Sequence, residues 1–199
     1  MVIRWRLADD TYLLAGRSEH STNATKAAAD ALLPALLGIP GKCVHIRRAP
    51  GLKPVIDGPN VGWLSRAHRS GATLVAASRH APIGADLEVT SDTVPHRDIA
   101  DLLFDPAEAT WLDAQPAISR ANRFCAMWTI KEAVLKCIGT GIVHGMTRPC
   151  LDRQARTALG AMGDEATVHL EDHRIRLFRR QLGVHSMMAA IATPLSSAG

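Results

Sequence analysis

Short apolar runs and longer helix-like runs alternate along the chain, and their pattern predicts both strands and helices. Runs bounded by turn residues predict strands at 43–48, 73–78, 83–88, 167–170, 175–178 and 187–191. Only Arg79-His80-Ala81-Pro82 separates the second of these runs from the third. We therefore expect those two strands to be neighbours, as in a hairpin.

Helical spacing is clearest between Ser119 and Ile138. The apolar residues that recur there and are expected to face a core are Phe124, Met127, Val134, Leu135 and Ile138. Gly139 and Gly141 end this helix. Further helices are predicted at 25–37, which Pro34 kinks or divides, at 98–103, and from Pro106 onward with Asp105 as the cap.

A polar stretch from Val89 to Pro95 predicts a boundary that divides the chain into halves 1–95 and 96–199. The last residues, 194–199, are expected to be loose. Neither half contains a recognisable internal repeat of ten to fifty residues. One compact unit or two small domains would therefore fit the pattern.

Composition narrows the classes of protein that the pattern allows. Of 199 residues, 47% are hydrophobic and 21% charged, which is typical of a globular protein with a sizeable core. The longest apolar stretch, 31–40, is far shorter than the ~20 residues of a membrane span, and the start lacks the apolar core of a secretory signal. The four cysteines form no C-x-x-C pair, so buried reduced thiols in a cytoplasmic protein are expected.

The charge balance bears on the partners of the chain. There are 23 Lys and Arg against 19 Asp and Glu, a net charge of +4. This excess is too small to indicate nucleic-acid binding by itself, but it suits an acidic or phosphorylated partner.

Two groups of charged residues are candidates for chemistry. In the strand 83–88, alternation places Asp86 and Glu88 on one face, about 7 Å apart. In the long helix, Glu132 and Lys136 are four residues apart and share a face with Thr129. Taken alone, either group could be an ordinary solvated face or a surface ion pair.

The local sequence around both groups resembles the two signatures of the 4′-phosphopantetheinyl transferase superfamily. Residues 83–88 read IGADLE, similar to G-[IV]-D-[IL]-E, and residues 128–141 read WTIKEAVLKCIGTG, similar to W-[TS]-x-K-E-[AS]-x-x-K-x-x-G-x-G. Three weaker pieces also resemble the family: GLKP at 51–54, AHRSG at 67–71 as a turn before a strand, and 104–111 around Glu108. Ala67 and Val55 depart from the usual family residues, which affects details of the coenzyme A contacts.

The resemblance implies an α+β fold of the longer, surfactin-type branch. In that branch two similar halves are related by a pseudo-twofold axis, the active site lies between them, and the chain acts as a monomer. It implies transfer of the phosphopantetheine arm of coenzyme A to a serine of an acyl or peptidyl carrier protein, with Mg²⁺ as cofactor. No nucleic acid or membrane is implied.

The resemblance also assigns roles to individual residues. Asp86, Glu88 and Glu132 are the implied metal ligands, with Glu132 or Glu88 as the base, and Lys136 contacts a phosphate. The implied coenzyme A contacts are Lys53, His68, Arg69 and Lys136, with Arg48 as a further helper. Trp128 is expected to pack beside the site.

Two rival functions remain compatible with parts of the sequence. One is a non-enzymatic module that binds coenzyme A or carrier proteins on a degenerate transferase scaffold, although Asp86, Glu88, Glu132 and Lys136 are all retained. The other is a magnesium-dependent phosphohydrolase, which would use water as the nucleophile. The chain shows no Asp- or His-rich repeats of the kind such enzymes carry.

Overall fold

The computed structural model describes residues 2–7, 11–17, 33–34, 45–47, 53–57, 62–70, 72–91, 93–142, 145–182 and 185–195. The strands of the first part are β1 (Val2–Leu7), β2 (Thr11–Arg17), β3 (His45–Arg47), β4 (Val55–Asp57), β5 (Gly62–Arg69), β6 (Ala72–Ser78) and β7 (Gly84–Val89). The helices that follow are α1 (His96–Leu103), α2 (Pro106–Asp113), α3 (Ala117–Ile138) and α4 (Arg153–Gly160). The last strands are β8 (Glu165–Leu170), β9 (His173–Leu182) and β10 (His185–Pro194). The α+β class is therefore confirmed.

The helix boundaries follow from local chemistry. At α2, the Asp105 carboxylate accepts the Ala107 amide at 2.9 Å and Glu108 Oε2 accepts the Asp105 amide at 3.0 Å, which forms a capping box before Pro106. At the other end of α3, Gly139 adopts a left-handed φ of +95° and its amide bonds to Leu135 O at 2.8 Å. Both predicted boundaries are confirmed.

In the described residues the strands form two antiparallel sheets. Sheet 1 has the order β1-β2-β6-β5-β4-β3, and sheet 2 has the order β7-β10-β9-β8. Sheet 2 is the middle layer, because one of its faces packs on α3 and the other on sheet 1. In β10, Met188 and Ala190 belong to the core on the helix side, whereas Met187 and Ala189 belong to the core between the sheets.

The predicted hairpin between the runs 73–78 and 83–88 is wrong. Both runs are strands, but β6 pairs with β2 and β5 in sheet 1, while β7 pairs with β10 in sheet 2. Strand β7 is buried on both faces, because Ala85 and Leu87 pack in the core between the sheets and Gly84 lies against α3. A strand that contacts both sheet 1 and α3 belongs to the middle layer, which is sheet 2. The chain thus changes sheet between Ser78 and Gly84, before the polar stretch that was predicted to separate the halves.

Other predictions need smaller corrections. Ile138 does not face the core, because it is 52% exposed, whereas the other four predicted apolar positions of α3 are buried. Ala67, His68 and Arg69 lie in β5, not in a turn. The turn begins at Ser70, whose φ is +47°. Strands β8, β9 and β10 contain the three predicted C-terminal strands and extend beyond them.

Some predicted features fall largely outside the described residues. Of the helix expected at 25–37, only residues 33–34 are described, and they are helical. Arg48 and residues 51–52 are also outside. No helix in the described part of the chain is long and apolar enough to cross a membrane.

Candidate active site

The site is built where strand β7 passes close to helix α3. A Cβ atom at Gly84 would overlap the Ala133 carbonyl oxygen and the Cys137 amide, so this close approach requires glycine. Because side chains alternate along a strand, Asp86 and Glu88 face the same helix as Gly84. The two carboxylates therefore lie near α3 because, as predicted, they share one face of the strand.

Helix α3 supplies the cation that meets this strand. Lys136 Nζ donates a hydrogen bond to Asp86 Oδ1 at 2.6 Å, and the two side chains are 31% and 6% exposed. Glu132, one turn earlier on α3, is also buried. The lysine therefore connects the two sequence motifs across the strand–helix junction, rather than forming only the surface pair that its spacing from Glu132 suggested.

The carboxylates of the site affect one another electrostatically. Burial raises the pKa of Glu88 to about 7, and the negative charges of Asp86 and Glu132 add to the increase, while Arg69 and Lys136 oppose it. Burial also raises the pKa of Glu132, with Lys136 opposing and Asp86 adding to the shift. Like charges this close favour binding of a cation or a proton.

One oxygen of the site is left without a partner. Asp86 Oδ2 is buried and makes no hydrogen bond in the part of the chain that the structure describes. A buried carboxylate oxygen without a hydrogen bond is energetically costly, and binding of a cation or a proton would relieve that cost. Among the described residues, no three His, Cys, Asp or Glu side chains are already arranged as a set of metal ligands.

Glu88 is held at the edge of the site by a residue from the other sheet. Arg69, at the end of β5, approaches Glu88 with an Nε to Oε2 distance of 2.9 Å. Both residues border a cavity of about 210 Å³ whose other walls are mostly apolar: Val89, Val94, His96, Ile99, Phe124, Cys125 and Trp128. Trp128 packs against Phe104 and Phe124 beside the site, in keeping with the packing role expected for it.

A second, larger cleft of about 380 Å³ has Lys136 in its wall. It is lined by Lys53, Pro54, Leu64, Ser65, Arg66, Lys136, Gly139, Thr140 and Gly141. Lys53 Nζ donates to Ile83 O and to Cys137 O, the latter at 3.3 Å, and so joins β7 to the end of α3. Burial lowers the pKa of Lys53 to about 8, and the nearby Cys137 opposes this. The cleft is therefore a basic pocket next to an acidic cluster.

The four implied coenzyme A contacts are not all brought together. Lys53 and Lys136 line the basic cleft, whereas Arg69 lines the smaller cavity with Glu88. His68 is exposed and its Nδ1 lies 3.2 Å from Thr73 Oγ1.

Sequence reasoning missed three contributors. Arg66 lines the basic cleft, and Ser65 accepts the Ala85 amide at 2.8 Å, which ties sheet 1 to strand β7. Lys131, in the second motif, is fully buried and contacts Glu108 at 2.7 Å. Only Lys131 had a signal in the sequence, namely its place in the motif between Trp128 and Lys136.

Comparison with known proteins places this geometry in a family. The sequence profile of the 4′-phosphopantetheinyl transferase superfamily matches residues 82–182, about half of the chain, and includes both β7 and α3. The chain therefore belongs to this superfamily. The predicted surfactin-type branch is supported by the same matches.

Individual relatives match between 43% and 54% of the chain. The 4′-phosphopantetheinyl transferase gsp of Aneurinibacillus migulanus is 31% identical over 107 residues, 54% of this chain and 43% of that protein. The 4′-phosphopantetheinyl transferase psf-1 of Bacillus pumilus is 33% identical over 104 residues, 52% of this chain and 41% of that protein. The slr0495 protein of Synechocystis sp. is 31% identical over 86 residues, 43% of this chain. The chain thus spans less than half the length of each relative, from 35% to 43%.

Proposed function

We propose that the chain transfers the 4′-phosphopantetheine moiety of coenzyme A to a serine of an apo-carrier protein. The observation that carries this proposal is the junction of Asp86 and Lys136 between the acidic cluster and the basic cleft. A diphosphate bound there would have a lysine on one side and carboxylates able to hold a cation on the other. Because the chain belongs to the 4′-phosphopantetheinyl transferase superfamily, phosphopantetheine transfer is the reaction that we assign to this site.

The reaction would form one bond and break one. The serine oxygen bonds to the β-phosphorus of coenzyme A, and the bond from that phosphorus to the bridging oxygen breaks. The electron pair leaves with adenosine 3′,5′-bisphosphate. The serine proton passes to a carboxylate, for which Glu132 and Glu88 are the candidates.

The donor set fits a hard divalent cation such as Mg²⁺. Asp86 Oδ2 is buried and has no hydrogen-bond partner among the described residues, and charge repulsion couples Glu88 and Glu132 to Asp86. We propose that these three carboxylates hold the ion, since carboxylate and phosphate oxygens are its preferred ligands. When bound, the divalent cation would neutralise the negative charge that develops on the diphosphate.

The protein's own residues have separate roles in this scheme. Lys136 is positioned by its hydrogen bond to Asp86 and contacts a phosphate oxygen, where it stabilises the developing charge. Lys53 lies in the same cleft and binds a further phosphate group of coenzyme A. We retain His68 and Arg69 as proposed coenzyme A contacts at the margins of the site.

Several further properties remain proposals on the same basis. We propose a monomer whose halves, 1–95 and 96–199, are related by a pseudo-twofold axis, with acyl or peptidyl carrier proteins as partners. The contact of β7, from residues 1–95, with α3, from residues 96–199, supports an active site between the two halves. Cys125, Cys137 and Cys150 are free thiols, which supports a cytoplasmic setting.

The experiment is a transfer assay that follows the mass of the carrier. The chain is incubated with coenzyme A, Mg²⁺ and a panel of apo-acyl and apo-peptidyl carrier proteins. We expect at least one carrier to gain a single phosphopantetheine group, and the same reaction to stop when EDTA is added. Coenzyme A binding without transfer to any carrier would instead support the non-enzymatic module, and phosphate release without a carrier would support a hydrolase.

A further inference from the structure

Arg69 connects the two sheets at the carboxylates of the site. It is the last residue of β5 in sheet 1, and its Nε lies 2.9 Å from Oε2 of Glu88, which is in β7 of sheet 2. The Glu88 side chain is 19% exposed, whereas the Arg69 side chain is 57% exposed. The motif resemblance implied a coenzyme A contact for Arg69, but the partner observed in the structure is a carboxylate.

The packing of β5 beside β7 brings Arg69 to this position. Ser65 Oγ accepts the Ala85 amide at 2.8 Å, and Arg69, four residues later on β5, contacts Glu88. Because side chains alternate along a strand, Ser65 and Arg69 lie on the same face of β5. Strand β7 is at an edge of sheet 2, so Arg69 reaches past that edge to a side chain that faces α3.

The two carboxylates of β7 are each held by a basic residue. Lys136 Nζ donates to Asp86 Oδ1 at 2.6 Å, while Oδ2 is buried and unbonded within the described part of the chain. Arg69 contacts Glu88 through Oε2, which leaves Oε1 for a ligand. In both residues, one oxygen is held by the chain and the other can bind a cation.

A restraint on Glu88 is needed because its neighbours carry the same charge. The carboxylates of Asp86 and Glu132 repel a third carboxylate, and the partly exposed Glu88 side chain could turn toward water. The contact with Arg69 holds Glu88 at the site against this repulsion. In metal sites, a partner that orients a ligating residue typically contributes about 10–100-fold to metal affinity.

The positive charge of Arg69 has an opposite but smaller effect on a bound cation. More than half of the Arg69 side chain is exposed, so water and salt screen its repulsion of the ion. The hydrogen bond to Oε2 is short and directional, and it fixes the orientation of the carboxylate. We therefore expect the orienting effect to exceed the repulsion.

From these contacts we propose that Arg69 is the positioning residue of Glu88, which it holds by Oε2 so that Oε1 binds the cation shared with Asp86 and Glu132. The proposal rests on the proposed function, because it uses the cation site assigned there. It adds to that site a residue of sheet 1 that does not itself bind the ion.

The test measures the affinity of the whole chain for Mg²⁺ by calorimetry, without coenzyme A or carrier protein. Arg69→Gln should bind Mg²⁺ about tenfold more weakly than the wild-type chain, the lower end of the range for residues that orient metal ligands. Arg69→Lys keeps the positive charge and a hydrogen-bond donor, so its affinity should lie between the two. The lysine variant also serves as the test if the glutamine variant does not fold.

A double variant shows whether Arg69 acts through Glu88. Glu88→Gln should itself weaken Mg²⁺ binding. Adding Arg69→Gln to it should change the affinity by less than about twofold, because the carboxylate that Arg69 orients is then absent. The same tenfold loss with and without the Glu88 carboxylate would show that Arg69 acts independently of Glu88, which contradicts the proposal.

Arg97→Gln is the matched control. Arg97 Nη2 lies 3.0 Å from Asp113 Oδ2 and its side chain is 67% exposed, so it forms a similar ion pair between α1 and α2. Its replacement removes the same charge and should leave the Mg²⁺ affinity unchanged. In EDTA, both arginine variants should unfold thermally close to the wild-type midpoint, because exposed ion pairs contribute little stability. Equal loss of affinity in both variants, or tighter binding by Arg69→Gln, would overturn the positioning role.

The result is separate from that of the transfer assay. An unchanged Mg²⁺ affinity in Arg69→Gln would overturn the role of Arg69 and leave the proposed reaction open. Absence of transfer to every carrier would refute the proposed reaction without changing the measured affinities. A wild-type chain that binds no Mg²⁺ would overturn both the cation site and the role of Arg69 in it.

Discussion

Helix α3 contributes the lysines of two lysine–carboxylate pairs that differ in their surroundings. Lys131 pairs with Glu108 at 2.7 Å, and both side chains are 0% exposed. Lys136 pairs with Asp86 at 2.6 Å, and the lysine is 31% exposed. The first pair joins α3 to α2, whereas the second joins α3 to strand β7.

Both side chains of the Lys131–Glu108 pair make further hydrogen bonds. Lys131 Nζ also donates to Met146 O at 2.8 Å and to Pro149 O at 2.6 Å. Glu108 Oε1 accepts the Leu151 amide at 2.7 Å, and Oε2 accepts the Asp105 amide at 3.0 Å. A buried ion pair satisfied in this way holds segments of the fold together and has no capacity for a ligand.

The Lys136 pair is incomplete by the same measure. Asp86 Oδ2 is buried and accepts no hydrogen bond from any residue that the structure describes, and the neighbouring Glu88 and Glu132 have raised pKa values. The comparison teaches that burial and an ion pair do not by themselves mark a site. What distinguishes the Lys136 pair is unused bonding capacity next to an open cleft.

The largest expected effect comes from removing a carboxylate at the incomplete pair. Asp86→Ala and Glu132→Ala should each reduce transfer about a thousandfold or more, because the charge stabilisation lost is worth several kcal/mol. Circular dichroism should show a retained fold. Carrier mass under the assay conditions above measures the loss, and near-normal transfer by both variants would remove the metal-site assignment.

Breaking the saturated pair should instead affect stability. Lys131→Met leaves Glu108 buried without its cation, and we expect the free energy of unfolding to fall by about 3–5 kcal/mol in urea titrations. The double variant Lys131→Met/Glu108→Gln should recover part of this loss, because it removes the uncompensated charge and keeps an amide oxygen that can accept the Leu151 amide. A loss of kcat in folded Lys131→Met comparable to that of Asp86→Ala would contradict the distinction between the two pairs.

A smaller effect is expected for the change in thermal stability when Mg²⁺ binds at the Lys136–Asp86 pair. Addition of Mg²⁺ should raise the midpoint of thermal unfolding of the wild-type chain, since a ligand at 100 times its Kd contributes about 2.7 kcal/mol. Asp86→Asn should lose most of this increase, whereas Glu165→Gln, on the distant strand β8, should keep it. An equal increase in Asp86→Asn would place the ion elsewhere.

The smallest effect concerns the pH dependence of stability without metal. Because the pKa of Glu88 is raised to about 7 in the folded chain, its protonated form favours the fold at low pH. That contribution is fully present below the ordinary glutamate pKa and is lost as the pH rises through about 7. Glu88→Gln should flatten this part of the profile of unfolding free energy in EDTA, and an unchanged slope would show that Glu88 does not titrate there.

Local patterns predicted the parts of this protein that depend on near neighbours in sequence. The capping box at Asp105 and Glu108, the glycine end of α3 and the alternation of Asp86 with Glu88 all involve residues within a few positions of each other. Local geometry fixes such features wherever the segment packs. The motif resemblance implied roles for Asp86, Glu88, Glu132 and Lys136, which stay predictions, whereas family membership is confirmed.

Only the tertiary structure decided which segments meet. The spacing of residues could not show that β7 pairs with β10 and not with β6, because strand pairing depends on contacts between residues far apart in the chain. Spacing also could not show that Ile138 is exposed and Lys131 is buried. A helical pattern shows which residues share a face of the helix, but not which other elements cover that face. Arg66 belongs to the basic cleft because Lys53, β5 and the end of α3 come together in space, and no short segment of the sequence contains that arrangement.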